Sequence, residues 1–303
     1  MFRVERDEAV DDAVRRVVRE ALLDATELVA AMSAHSGSYA DPASAEVAQA
    51  VHEVRKRCKE VRGVCALVGP SVGDGARAVD RLCRNAARQL APSRDAVVAQ
   101  RWLGRLQTEW GVDTSAIDPV AVAAEIGGAH QDPPDLELAV LQLETALAFA
   151  RAWRLGSGFG AVATGLEGTY RRGADRLHVV VHGAGPEQLH RWRSSVKQLW
   201  YQARLLQPIA PSALDPLVAQ LDGIGETVGD HHDLHVLRMA LSVRPDPERR
   251  RVAAAARDIQ LDLESRATAA GARVYAEVPA AFATRIGAYW KLWIEMVPDH
   301  TFG

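Results

Sequence analysis

The chain has 303 residues, a formal net charge of −3, 48% hydrophobic residues and 25% charged ones. That length and apolar content suit one large globular domain or two of about 150 residues, and no apolar run approaches the roughly 20 residues of a membrane span. The negative balance excludes a surface that is basic throughout, so a polyanion binder of this composition must segregate its charge. The charge is segregated: residues 111–150 hold seven acids and no Lys or Arg, and 205–237 hold five acids and again no Lys or Arg. The first residues, MetPheArgValGluArgAspGlu, lack a signal-peptide layout. Cys58, Cys65 and Cys83 have no metal-motif spacing and read as reduced core residues of a cytoplasmic protein.

In chain order, residues 5–34 are predicted as a helix with Val10, Val14, Val17, Ala21, Leu28 and Met32 on its apolar face. A loop at 36–42 precedes a helix from about 44 to 68, which Gly69-Pro70 should stop. Helices follow at 74–90, 94–110 and 119–126, and the breaker-rich 127–135 reads as a linker. Beyond it come helices at 135–155 and 159–175. LeuHisValValValHis at 177–182 has strand composition but reads as irregular or helical in an otherwise helical setting. A helix through His190–Arg204 leads to a Pro-rich loop (208–216), a helix to 228, a short helix to 241, and helices at 248–270 and 280–296. The aromatic Tyr289, Trp290 and Trp293 of the last one read as core packing. The fold class is therefore all-α. Residues 1–128 and 135–303 are expected to form two related helical bundles.

The division rests on a repeat. His52-x-x-Arg55-x-x-x-Lys59 and His190-x-x-Arg193-x-x-x-Lys197 lie 138 residues apart, and Asp95 and Asp233 each follow their His by 43. At about 100° per residue, His52, Arg55, Lys56, Lys59 and Arg62 share one helix face, and His190, Arg193, Lys197, Tyr201 and Arg204 share another. Val54, Cys58 and Val61, or Trp192, Val196 and Leu199, lie opposite. Solvated helix faces usually mix signs, because like charges one turn apart repel. A stripe without acids, met twice at the same spacing, points to an anion. The helix at 74–90 carries Arg77, Arg81, Arg84 and Arg88, whose counterparts 138 residues on are Asp215, Ala219, Asp222 and Glu226. Either these faces pair across the two halves, or only the first half adds anion contacts.

HisHisAspLeuHis (231–235) allows a second reading, a metal-dependent phosphohydrolase using His231, Asp233 and His235. Only the Asp recurs in the first half, so Asp95 and Asp233 are expected to cap or brace a helix. Nucleic acid is a third reading. Single-strand binders present exposed aromatics for stacking, and only Tyr201 joins a basic face here. A purely structural interaction protein is a fourth.

The motifs TyrArgArgGly (170–173), LeuHisArgTrpArgSerSerValLysGlnLeuTrpTyr (189–201), ValGlyAspHisHisAspLeuHisValLeu (228–237) and the terminal TyrTrpLysLeuTrp, with the His52 motif, resemble the CHAD family of α-helical domains. The resemblance covers nearly the whole chain. It implies two helical bundles about a pseudo-twofold axis with a basic channel or groove between them. It also implies binding of inorganic polyphosphate, often at polyphosphate granules, without catalysis, metal or cofactor. It places His52, Arg55, Lys59, Arg62, His190, Arg193, Lys197 and Arg204 on the polyanion path; Lys56 joins them from the helix face, and Arg171 and Arg172 from the TyrArgArgGly motif. Asp215, Asp222 and Glu226 depart from a simple basic surface. No fused triphosphatase segment of the CYTH type is expected, since the helical repeats take up the chain.

Overall fold

The computed structural model describes residues 1–34, 45–90, 95–126, 134–183 and 185–295. Among these there are helices and turns and no strand. The helices are α1 (Val10–Ala34), α2 (Ala45–Val72), α3 (Asp74–Gln89), α4 (Asp95–Trp110), α5 (Pro119–Ile126), α6 (Leu136–Arg151), α7 (Gly160–Val181), α8 (Pro186–Leu206), α9 (Pro211–Leu241), α10 (Pro247–Val274) and α11 (Pro279–Glu295).

Several boundaries differ from the sequence reading; α1 begins at Val10 rather than residue 5, and α7 runs to Val181 rather than 175. α2 runs through Gly69-Pro70 and ends at Val72. Pro70 stands in the last turn, where its missing N–H removes one helical hydrogen bond close to the end of the helix. The stop is Gly73, whose φ of 69° lies in the left-handed region and whose N–H donates to Gly69 O at 2.8 Å. The Pro-rich loop at 208–216 shrinks to a 3-10 turn, Gln207–Ile209, and the two helices expected beyond it are one helix, α9. Pro211 sits at its start, where it is tolerated, and α8 and α10 both pack along α9, so tertiary contact outweighs the poor helix propensity of Gly223, Gly225 and Gly229. The strand-like 177–182 is the last turn of α7 and its cap.

α1, α2, α3 and α6 pack in a closed ring, each against the next, and α7, α8, α9 and α10 do the same. α6 packs on α1 and α3, whereas the division at 128/135 puts it in the second half. One apolar core runs through both rings, with Leu22, Val54, Leu67, Leu143, Leu166, Trp192 and Leu199 fully buried. Each such side chain contributes about 1.5–3 kcal/mol by leaving water. α4 and α5 form a small arm on α9 with a core of their own, built from Trp102, Leu106, Val122, Leu234, Leu237 and Val252. α11 lies on α7. Trp290 is buried there, 6.1 Å from the ring of Phe159 and 5.4 Å from that of Trp293.

The rings meet where α2 crosses α7 and α8. A Cβ on Gly165 would stand 1.7 Å from Leu67 O, and one on Gly63 would stand 2.6 Å from Tyr201 Cβ. Glycine at both positions permits the close approach. Gln202 Nε2 donates to Gly63 O at 3.2 Å and to Thr169 Oγ1 at 3.0 Å, inside the junction.

Candidate anion-binding surface

On α2 the predicted stripe is His52 and Lys59, exposed, with Arg55, Lys56 and Arg62 half-buried. Lys56 pairs with Glu53 at 3.3 Å. Arg62 Nε reaches Asp80 on α3 at 2.9 Å. The same face continues one turn further as Ala66 and Gly69, which line a cleft of about 420 Å³. α3 faces that cleft with Arg77, Arg81 and Arg84, and α7 adds Arg172. Asp80 is the one acid in the cleft among the described residues.

The α3 arginines do not pair with Asp215, Asp222 or Glu226. Arg77 pairs with Asp74, Arg84 with Asp80 and Arg88 with Asn85, all within α3. Arg81 is exposed and makes no ion pair or hydrogen bond among the described residues. Arg172 donates to Thr169 Oγ1 at 2.9 Å. Burial and the nearby Arg176 pull its pKa below the ordinary value, as expected for a cation with no carboxylate beside it.

On α8 the stripe leans towards α9. His190 is exposed. Arg193 Nε donates to Gly225 O at 2.9 Å, and Lys197 Nζ contacts Asp222 at 2.9 Å. Lys197 and Arg204 stack over Trp200, 3.9 and 4.7 Å from its ring. Tyr201, placed on the basic face by the helical wheel, is instead buried at the α2–α8 crossing, and burial pushes its hydroxyl pKa well up. The close packing against Gly63 draws it in.

Residues 24–242 match the CHAD domain family. The chain belongs to the CHAD family. No curated protein and no solved structure matches it.

The CHAD motifs divide between framework and surface. In TyrArgArgGly, Tyr170 is buried. It donates to Val274 O at 2.7 Å, accepts from Glu277 N–H at 3.2 Å and stacks on Phe282 at 4.3 Å. Gly173 makes room for Tyr275, whose hydroxyl oxygen a Cβ would approach to 2.3 Å. Both pin α7 to the α10–α11 turn. Arg171 is exposed and pairs with Glu167, so of the two arginines Arg172 alone lines the cleft.

In the motif at 228–237, Asp233 accepts from Arg101 at 2.6 Å and from Trp102 Nε1 at 3.5 Å, and Asp230 from Arg105 at 3.0 Å. These bonds clamp the α4 arm to α9, the bracing role expected of Asp233. The side chain of Asp95 lies outside what the structure describes. His231 is buried, with Nε2 3.8 Å from Glu264 Oε2 on α10, while the exposed His232 points to α8, its ring 5.3 Å from that of His190. His231, His232 and Asp233 thus turn to three different helices. Among the described residues no group of three or more His, Cys, Asp or Glu is placed to hold a metal ion.

Sequence reasoning missed His232 as a neighbour of the α8 stripe, Arg172 as a partner of the α3 arginines, and the glycines of α9. The first two needed the α8–α9 and α3–α7 placements. The glycines carried a signal, a pair four residues apart, hidden by reading α9 as two helices. Cys58, Cys65 and Cys83 are buried and unbridged, as expected.

Proposed function

We propose that this CHAD domain binds inorganic polyphosphate, without transforming it, along a basic path that includes the α2–α3–α7 cleft and the α8 stripe. The observation that carries the reading is the cleft itself: guanidinium groups from two helices face one hollow whose lining, among the described residues, includes one acid, Asp80. Arg donates in a fork to non-bridging phosphate oxygens, and a linear polyanion neutralised by Lys and Arg releases counterions, so binding should be steeply salt-dependent.

A pseudo-twofold arrangement is supported by the α2–α8 crossing. Gly63 meets Tyr201 there, and these two are 138 residues apart, the spacing of the two His motifs. A twofold axis brings equivalent residues face to face in this way. The nucleic-acid reading draws less support, since Trp200 lies under Lys197 and Arg204 rather than open for base stacking. Location at polyphosphate granules follows from the same proposal. Among the described residues no helix is long and apolar enough to cross a membrane.

The test is affinity for long-chain polyphosphate across a salt series, for the native chain and for Arg81→Ala/Arg172→Ala, with charge-matched single-stranded DNA as competitor and phosphate release followed with and without divalent metal. Salt-steep binding that the variant weakens, with little competition and no release, is expected. Binding indifferent to both arginines would remove the cleft from the path. Metal-dependent release would return attention to His231, Asp233 and His235.

A further inference from the structure

Two glycines of α9 face α8, and each already has an occupant. A Cβ on Gly225 would come 2.6 Å from Cδ of Lys197, and one on Gly229 would come 2.9 Å from Nη2 of Arg193. The third contact in the series is His190 with His232, at 5.3 Å between rings. All three share one register. Going back along α8 from Lys197 to Arg193 to His190, by four and then three, matches going forward along α9 from Gly225 to Gly229 to His232. Steps of three and four stay on one helix face, so the basic stripe of α8 runs along its seam with α9.

Nothing else in the fold asks for glycine at these positions. Neither has a positive φ. Gly165 and Gly63 face a backbone carbonyl and a Cβ, whereas Gly225 and Gly229 meet the outer parts of long side chains. Glycine is the poorest helix former after proline, and α9 carries both well inside its length. What the missing Cβ atoms admit is the stem of Lys197 and the guanidinium of Arg193.

We infer that Gly225 and Gly229 are positioning residues for anion binding. They let Lys197 and Arg193 lie across α9, in one row with His190 and His232, so that a phosphate chain laid along the seam meets a donor at about every helical turn. Without the anion, the Gly225 carbonyl and Asp222 occupy the two cations. The inference rests on the polyphosphate reading and adds to it the helix that sets the geometry of the α8 stripe.

The test compares Gly225→Ala and Gly229→Ala with Gly223→Ala, a change on the same helix where a Cβ meets nothing within 4 Å. Affinity for long-chain polyphosphate is measured at several salt concentrations, with the melting temperature of each variant. The new methyl groups press on flexible side chains, so all three should fold, with melting temperatures unchanged or raised. Gly225→Ala and Gly229→Ala should each weaken binding roughly fivefold and flatten the salt slope by about one, while Gly223→Ala does neither. Gly225→Ala added to Lys197→Ala should cost nothing further, because the glycine acts through the lysine. Binding by the Gly225 and Gly229 variants equal to that of Gly223→Ala, or full additivity with Lys197→Ala, would overturn the inference. If Lys197→Ala and Arg193→Ala themselves leave binding intact, the placement of polyphosphate on α8 fails, and the positioning role with it.

Discussion

The cleft between α2, α3 and α7 lies further along the helix that carries one His-x-x-Arg-x-x-x-Lys motif, the seam between α8 and α9 holds the other motif itself, and the two regions are chemically unlike. In the cleft the charge is guanidinium, always protonated, and Arg81 stands without an ion pair among the described residues. Along the seam Asp222 takes Lys197, the Gly225 carbonyl takes Arg193, and two imidazoles complete the row. The difference lies in the helix that follows each motif helix, since α3 brings arginines where α9 brings acids and glycines. One region offers fixed, open charge, and the other offers charge that is held down and partly titratable. A smaller hollow of about 80 Å³ between α1 and α2 is lined by Glu20, Asp24 and Glu60 with Arg57, so the basic lining is on the α3 side of α2.

The largest expected effect belongs to α9 and is one of stability. Burial pushes the His231 imidazole down to about 4, and His235, His232 and Arg238 add to the push. Glu264, which faces it from α10, is itself held above the ordinary carboxylate value by burial and gives little help. An unfolded histidine titrates near 6.5, so between these values the unfolded chain binds more protons. Stability is then complete above about pH 6.5 and falls by about 3 kcal/mol as pH drops towards 4. Urea midpoints from pH 7.5 to 4.5 measure this limb, and His231→Gln should flatten it; an unchanged limb would place its source elsewhere. Next in size is charge reversal. Arg81→Glu with Arg172→Glu should lower polyphosphate affinity about a hundredfold, against about tenfold for Arg193→Glu with Lys197→Glu, whose charges are already partly met. A reversed ranking would mean that the seam, not the cleft, leads.

The fold was largely legible in the sequence because apolar periodicity marks helices wherever one face is buried, as in α2 and α8. The ends were harder. Pro70 looked like a stop, yet Gly73 with its left-handed backbone is the residue that ends α2, and no local rule predicts that α9 survives three glycines and Pro216. At the site, the stripes were legible as charge patterns, but their partners were not. That Arg62 meets Asp80, or that Tyr201 is buried against Gly63, depends on how helices cross. Asp233 was legible as a brace because it recurs in both halves, whereas its partner Arg101 follows only from the packing of the α4 arm.

Two smaller effects sharpen the contrast between cleft and seam. Asp80 engages both Arg62 and Arg84, and Asp222 engages Lys197, so on the proposed path each carboxylate would compete with phosphate. Asp80→Asn should raise affinity roughly fivefold and Asp222→Asn roughly twofold, the scale of partly exposed ion pairs. Titration at fixed salt decides it, and a loss of affinity in either variant would show the acid to be an organiser rather than a competitor.

The smallest effect is the response of binding to pH. Partial desolvation of its ring against α8, although the residue is exposed, and the adjacent His190 hold the His232 pKa below its ordinary value, with Arg193 and His235 on the same side and only Asp233 opposing. The free seam is therefore short of one positive charge at neutral pH. A phosphate chain beside His232 favours its protonated form, so the bound state takes up a proton and affinity rises as pH falls. Between pH 7.5 and 5.5, where the fold still keeps most of its stability, a rise of about two- to threefold is expected. His232→Asn should abolish most of it. The Arg81 and Arg172 variants, weaker throughout, should keep the same fractional rise, because arginine does not titrate in this range. A flat profile in the native chain, or one carried by the cleft variants instead, would deny the seam its titratable character and leave the two regions differing only in how firmly their cations are held.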